Sequence, residues 1–232
     1  MNELDLPTRV ECFELIKQYH VPSNIVKHCL AVSKLAVFLA QKLKEKGLQV
    51  NVEHVDRACL LHDIVRICDF KELDYSRFEE TISEEDKSKW KQIRQRYHNF
   101  GHEDAAYEIL KEKYPTLALT IKKHRYMAML DEDERPTSWE EKLVYYADMK
   151  VMHDEIVPLK DRLEDGHRRN THLHGTDPQT IVNMAEVDSL IYQLEKEIFV
   201  EIGLEPTAVT DEFIDLHKHN IKDNHGENNN CI

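Results

Sequence analysis

Apolar residues recur along this chain every three or four positions rather than every second one, which predicts helix after helix and no alternating strand. A first amphipathic stretch over residues 8–20 carries Val10, Phe13, Leu15, Ile16 and Tyr19. It stops at Val21-Pro22, since the residue before a proline is pushed out of the helical region. A long helix over 24–46 follows, with Ser23 or Asn24 as N-cap and Gly47 just past its end. Asn51 opens a third helix, predicted over 52–68. A charged helix near 84–97 begins with Ser83 and Asp86 at capping-box spacing. Helices at 102–113 and about 116–126 are separated by Tyr114-Pro115. After the polar loop 131–138, Ser138 and Glu141 form a second capping-box signature, for a helix reading EKLVYYADMKVM. Residues 158–176, mixed in charge, read as a loop with at most a short helix. Asp177-Pro178 then starts a last helix that Gly203 ends near 202. No repeat and no linker interrupts the series. The expected architecture is an all-α helical bundle with one domain over 1–220, a C-terminal helical extension at about 177–203, and a frayed polar tail at 221–232.

Composition narrows the function classes. At 232 residues and 41% hydrophobic, the chain is large enough to bury a core. Lys+Arg number 31 against Asp+Glu 44, a net charge of −13, which argues against a sequence-independent nucleic-acid binder. A small anionic substrate stays compatible, because a bound metal reverses the sign of the potential inside one pocket. Only 6 glycines disfavour Gly-rich nucleotide loops and Greek-key sandwiches. No stretch approaches the roughly 20 apolar residues of a membrane helix, and MNELDLPTRV has no apolar leader region, so no membrane partner is expected. Cys12, Cys29, Cys59, Cys68 and Cys231 are scattered without a CxxC pair, the pattern of reduced thiols in a cytoplasmic protein.

Several polar residues sit where the helical pattern calls for aliphatic ones. His28 shares a helix face with Val32, Leu35, Leu39 and Leu43. Alone it reads as a hydrogen-bonded core histidine. His62-Asp63 interrupts the apolar run ACLLHDIVRICDF, with Val55, Ala58 and Val65 on the face of His62. An acid so placed is costly to bury unpaired, so it meets a base or both residues hold a cation. Asp148 lies among Val144, Tyr145, Val151 and Met152, as a metal ligand or as the partner of a buried His or Lys. His102 shares a face with Ala105, Ala106 and Ile109, and His124 follows Thr120 and Ile121. Both read as inward, with His98 a rival for the place of His102. Four imidazoles and two carboxylates without thiols suit one or two divalent transition metals (Fe, Mn, Co, Ni or Zn) rather than a structural zinc cage.

The ordered set His28 … His62-Asp63 … His102 … His124 … Asp148, the last within the segment YYADMK at 145–150, resembles the HD superfamily of metal-dependent phosphohydrolases. The likeness spans about residues 20–155. It is most similar to the compact bacterial branch that includes symmetrical diadenosine-tetraphosphate hydrolases. The resemblance implies one metal held by His28, His62, Asp63 and Asp148, and a second held by His102 and His124 with Asp63 bridging. Arg66 stands where the family often has a lysine that contacts phosphate, and the sequence after Asp148, MKVMHDEIVP, lacks the Glu-Pro-Arg run of the diadenosine-tetraphosphate hydrolases.

The function expected on this basis is hydrolysis of a phosphoester or phosphoanhydride of a nucleotide by metal-activated hydroxide, with Asp63 and Arg66 as catalytic residues. Arg66 and Arg125 are the expected phosphate-binding cations; Arg125 reads equally as a solvated cation at a helix end. The alternative is a catalytically silent module that binds a nucleotide and signals to a partner. A third reading makes the histidines ordinary core residues of a helical interaction protein. The expected ligand is a small nucleotide or phosphate ester, with a second copy of the chain as a candidate partner.

Overall fold

The computed structural model describes residues 6–70, 72–174 and 177–222, so the expected frayed tail beyond Lys222, with Cys231, lies outside the described residues. The fold is all-helical, as the periodicity predicts. Its helices are α1 (Arg9–Gln18), α2 (Ser23–Glu45), α3 (Val52–Leu61), α4 (Glu84–Arg96), α5 (His102–Leu110), α6 (Pro115–Lys122), α7 (Trp139–Lys150), α8 (Leu159–His174), α9 (Pro178–Ile202) and α10 (Asp211–Lys222). Short 3₁₀ turns cover Arg66–Asp69 and Tyr126–Leu130.

Local chemistry explains most boundaries. Thr8 and Glu11 cap each other at the start of α1, as do Ser83 and Asp86 at α4 and Ser138 and Glu141 at α7. Asn51 accepts from the His54 amide to open α3, and Asp177 accepts from Thr180 to open α9. Gly47 ends α2 with φ +89, its N–H bonded to Lys44 O while Leu48 N–H reaches Leu43 O, and Gly203 ends α9 with φ +71.

α2 is the central element. Val32, Leu35, Leu39 and Leu43 are at most 1% exposed, packed against α3, α7 and α9. Truncating any of the three leucines to Ala would cost roughly 2–5 kcal/mol. Contrary to the expectation from sequence, α2 is long and apolar enough to cross a membrane by length and composition; the burial of its apolar side is that of a core helix. Polar nodes join the helices around it. Asp56 on α3 takes Ser33 Oγ at 2.6 Å and Arg9 Nη1 at 2.5 Å, which ties α1 and α2 to α3. Buried Lys150 at the end of α7 pairs with Glu195 of α9 at 3.1 Å, and Tyr146 Oη donates to the same carboxylate at 2.7 Å.

Five expectations are corrected. The N-cap of α2 is Pro22, because Ser23 turns its amide and hydroxyl to Glu80. α3 ends at Leu61 rather than near 68. The chain tightens there into i→i+3 bonds (Ile64 to Leu61, Arg66 to Asp63), so that His62, still helical in its backbone, caps α3 and Asp63 lies in the turn beyond it. α6 likewise stops at Lys122, leaving His124 in a turn. Val151–Met152 leaves α7 to pair antiparallel with Glu155–Ile156, a two-residue ladder turned by His153 at φ +58. Residues 159–174, expected as a loop, form the 16-residue α8; it buries Leu159 and Leu163 among charges too dense for the apolar period to stand out. α10, for which no element was predicted, lays Phe213 edge-on against Phe38 of α2 at 5.9 Å.

Candidate metal centre

The six polar residues that break the apolar pattern meet at one place. His28 comes from α2, His62-Asp63 from the turn that ends α3, His102 from the first position of α5, His124 from the turn after α6, and Asp148 from the last turns of α7. His62 is fully enclosed, His102, His124, Asp63 and Asp148 are buried, and His28 is half-buried at the edge.

All four imidazoles are oriented the same way. Nδ1 of His28 lies 2.7 Å from the His153 carbonyl, Nδ1 of His62 2.7 Å from the Cys59 carbonyl, and Nδ1 of His124 2.5 Å from the Ile121 carbonyl. A carbonyl only accepts, so these three nitrogens carry the proton. Nδ1 of His102 faces Asp69 Oδ2 at 2.6 Å, and the same carboxylate takes the His102 amide at 3.1 Å. Every Nε2 therefore points inward. His28 Nε2 is 2.9 Å and His62 Nε2 3.6 Å from Asp148 Oδ1; His62 Nε2 is also 3.8 Å from Asp63 Oδ2. His102 Nε2 and His124 Nε2 are 3.0 and 3.8 Å from Asp63 Oδ1, and 2.9 Å from each other.

Such an array needs positive charge at its centre. Four inward nitrogens around two buried carboxylates are satisfied by cations or by protons, and both kinds of demand are visible. Burial works against the charge on Asp63, but His62, Arg66 and His102 outweigh it and hold its pKa well below the carboxylate range. Burial likewise opposes the charge on Asp148, and the hydrogen bond from His28 together with the facing His62 ring overcomes it. His62 is pushed well above its usual value against its own burial, by Cys29, Asp63 and Asp148, and His102 is pushed up to about 9 against burial and Arg66 by Glu103 and Asp63. His62 Nε2 nonetheless lacks a hydrogen-bond partner although it is completely buried. A buried, orphaned Nε2 whose Nδ1 is tied to a carbonyl is the preparation a metal ligand receives. Among the described residues four triads bring ligand atoms within 4.8 Å of one another: His28–His62–Asp63, His62–His124–Asp148 and Asp63–His102–His124 at the centre, and Asp69–His102–Glu103 behind His102. A borderline divalent cation fits these nitrogen and oxygen donors.

The remaining expected residues divide. Arg66 joins the cluster, with Nη1 2.8 and 2.9 Å from the two ring nitrogens of His102 and 3.5 Å from Asp69. Arg125 is instead paired with Glu134. His98 is exposed, its Nδ1 3.2 Å from Gln95 O, so His102 rather than His98 reaches the centre. Asp69 and Glu103 went unrecognised in the sequence. Glu103 lies 3.2 Å from His102 Nδ1, yet an acid in the first turn of a helix reads as ordinary dipole compensation. Asp69 carries no helical register with the doublet once the chain has left α3.

The HD domain family model matches residues 25–150, a span that begins three residues before His28 and ends two after Asp148. A protein of Methanocaldococcus jannaschii described as uncharacterized is 28% identical over 180 residues, covering 72% of this chain and 90% of its own length. No solved structure matches the chain.

Proposed function

Because the chain belongs to the HD domain family, a superfamily whose members are generally metal-dependent phosphohydrolases though some are non-catalytic, we propose that it hydrolyses a phosphoester or phosphoanhydride of a small nucleotide at the His/Asp centre. The observation that carries this reading is the common orientation of the four histidines, each with Nδ1 anchored outside and Nε2 turned onto Asp63 and Asp148. A structural core histidine has no reason to share that orientation with three others.

His28, His62, Asp63 and Asp148 would hold one cation, and His102 and His124 a second, with Asp63 touching both groups. A divalent cation supplies activated water at neutral pH and draws charge from phosphate oxygens. The chain itself supplies the rest. Asp63 and Asp148 balance the positive charge without protonation, since their pKa values are depressed. Cys59 O, Ile121 O and His153 O fix the ring tautomers. Arg66, more than a third exposed at the rim, is the cation placed to meet a phosphate entering from solvent.

The test is metal analysis of protein purified without chelator, followed by a nucleotide and phosphodiester panel read by phosphate release. The expected result is stoichiometric metal and turnover of at least one substrate class that chelator abolishes. A fully metal-loaded protein that binds nucleotides but turns none over identifies the silent sensing module instead. If chelator changes neither activity nor melting temperature, the centre holds no metal.

A further inference from the structure

Beyond the six clustered residues, one more cation stands against the centre. Arg162, in the first turns of α8, is partly buried, and its Nε donates to the Val151 carbonyl at 2.8 Å. Val151 follows Asp148 by three residues, so this bond pins the base of the guanidinium at the end of α7 beside the centre. Burial lowers the pKa of Arg162; of the charges that reach it, Asp148 acts first and in the opposite sense, then Arg169 and Arg66 with burial, and last Asp165 against it. Arg66 and Arg162 thus both feel the centre, Arg66 beside His102 and Arg162 from the Val151 carbonyl three residues past Asp148.

Among the described residues no carboxylate lies within ion-pair distance of Arg162. Other buried or half-buried cations of this acidic chain are paired: Arg57 with Asp56, Lys123 with Glu141 and Lys150 with Glu195. Asp165, on the same helix, is already taken by Arg168 at 2.5 Å and Arg169 at 2.6 Å. The tip of Arg162 also has room: Gly166 lies one turn on, and a Cβ at that position would come within 3.1 Å of Nη1. A guanidinium with one donor anchored and its fork left unpaired is built to take a bidentate anion.

We propose that Arg162 is a substrate-binding residue that grips phosphate oxygens on the Asp148 side of the centre. This rests on the phosphohydrolase reading above, and it gives α8 a place in the substrate site. Inorganic phosphate, titrated calorimetrically into the metal-loaded full-length protein, is the probe. Arg162→Gln is expected to weaken phosphate binding at least tenfold while metal content stays at the wild-type stoichiometry, and Arg162→Lys, which keeps charge but not the fork, falls between the two. In turnover assays Arg162→Gln raises KM more than it lowers kcat. Phosphate binding by Arg162→Gln equal to wild type overturns the assignment and leaves the phosphohydrolase reading standing. Loss of metal from Arg162→Gln also overturns it, by making Arg162 a structural support of Asp148. A metal-loaded wild type that takes up no phosphate defeats both.

Discussion

The two halves of the centre are built from different materials. On the Asp148 side, His28 and His62 are oriented by backbone carbonyls, those of His153 and Cys59, so their geometry is fixed wherever the secondary structure is fixed. On the other side, His124 is likewise held by the Ile121 carbonyl, but His102 is oriented by the Asp69 side chain, with Glu103 at 3.2 Å and Arg66 lying against the ring. Side-chain supports are mobile and titratable; backbone supports are neither. On the reading proposed above, the Asp148 half would be the more firmly held cation site, and the His102 half the one whose occupancy would answer to pH, to mutation and to an arriving phosphate. Asp63 touches both, through Oδ1 to His102 and His124 and Oδ2 to His62.

The contrast fixes an order of effects. Asp63→Ala removes the residue common to both halves, so turnover falls by about 10³-fold or more and both cations weaken. Near wild-type turnover in that variant would take Asp63 out of the mechanism. His102→Ala should lower metal content from two ions toward one by elemental analysis, the Asp148 half keeping its ion; two ions retained would mean that a residue such as His98 replaces it. Asp69→Asn is milder. It leaves every ligand in place but loosens His102, weakening the second ion about 10- to 100-fold, and equal weakening of both ions would erase the distinction between the halves. The smallest effect is on metal-free stability. His102 has a folded pKa raised to about 9, so its protonation stabilises the fold fully below the unfolded value near 6.5 and that contribution is lost as pH rises through 9. The melting temperature of the metal-free protein should therefore fall by several degrees between pH 6.5 and 9, while the metal-loaded protein, whose cation replaces the proton, changes less. A metal-free protein that gains stability over that interval contradicts the shift.

The difference between the halves also marks what the sequence reveals. His28 and Asp148 were visible because each interrupts an apolar stripe on a long helix, where period and burial agree. The His62-Asp63 doublet was visible for the same reason, although the helix presumed to carry it stops at Leu61. What escaped was whatever lies off the helical period. Asp69 sits in a 3₁₀ turn, and His153 contributes a carbonyl from a left-handed residue of a tight hairpin, a role independent of its side chain. α8 escaped because LKDRLEDGHRR offers few apolar positions and a mid-helix glycine, so its pattern matches a loop until packing decides. There His167 bonds Asp188 of α9 at 2.8 Å, while Arg168 and Arg169 pair with Asp165; His172 and His174 lie outside the residues whose side chains are described. Arg162 was hidden with the helix that carries it.

The central claim is that the inward Nε2 atoms converge on cations, and anomalous diffraction from metal-loaded crystals tests it most directly. The account predicts a full-occupancy peak about 2.0–2.3 Å from Nε2 of His28 and His62 and from a carboxylate oxygen of Asp63 and Asp148, with a second, partial peak beside His102 and His124. Four histidines still bonded to the two carboxylates by protons, with every anomalous peak elsewhere on the molecule, would contradict it.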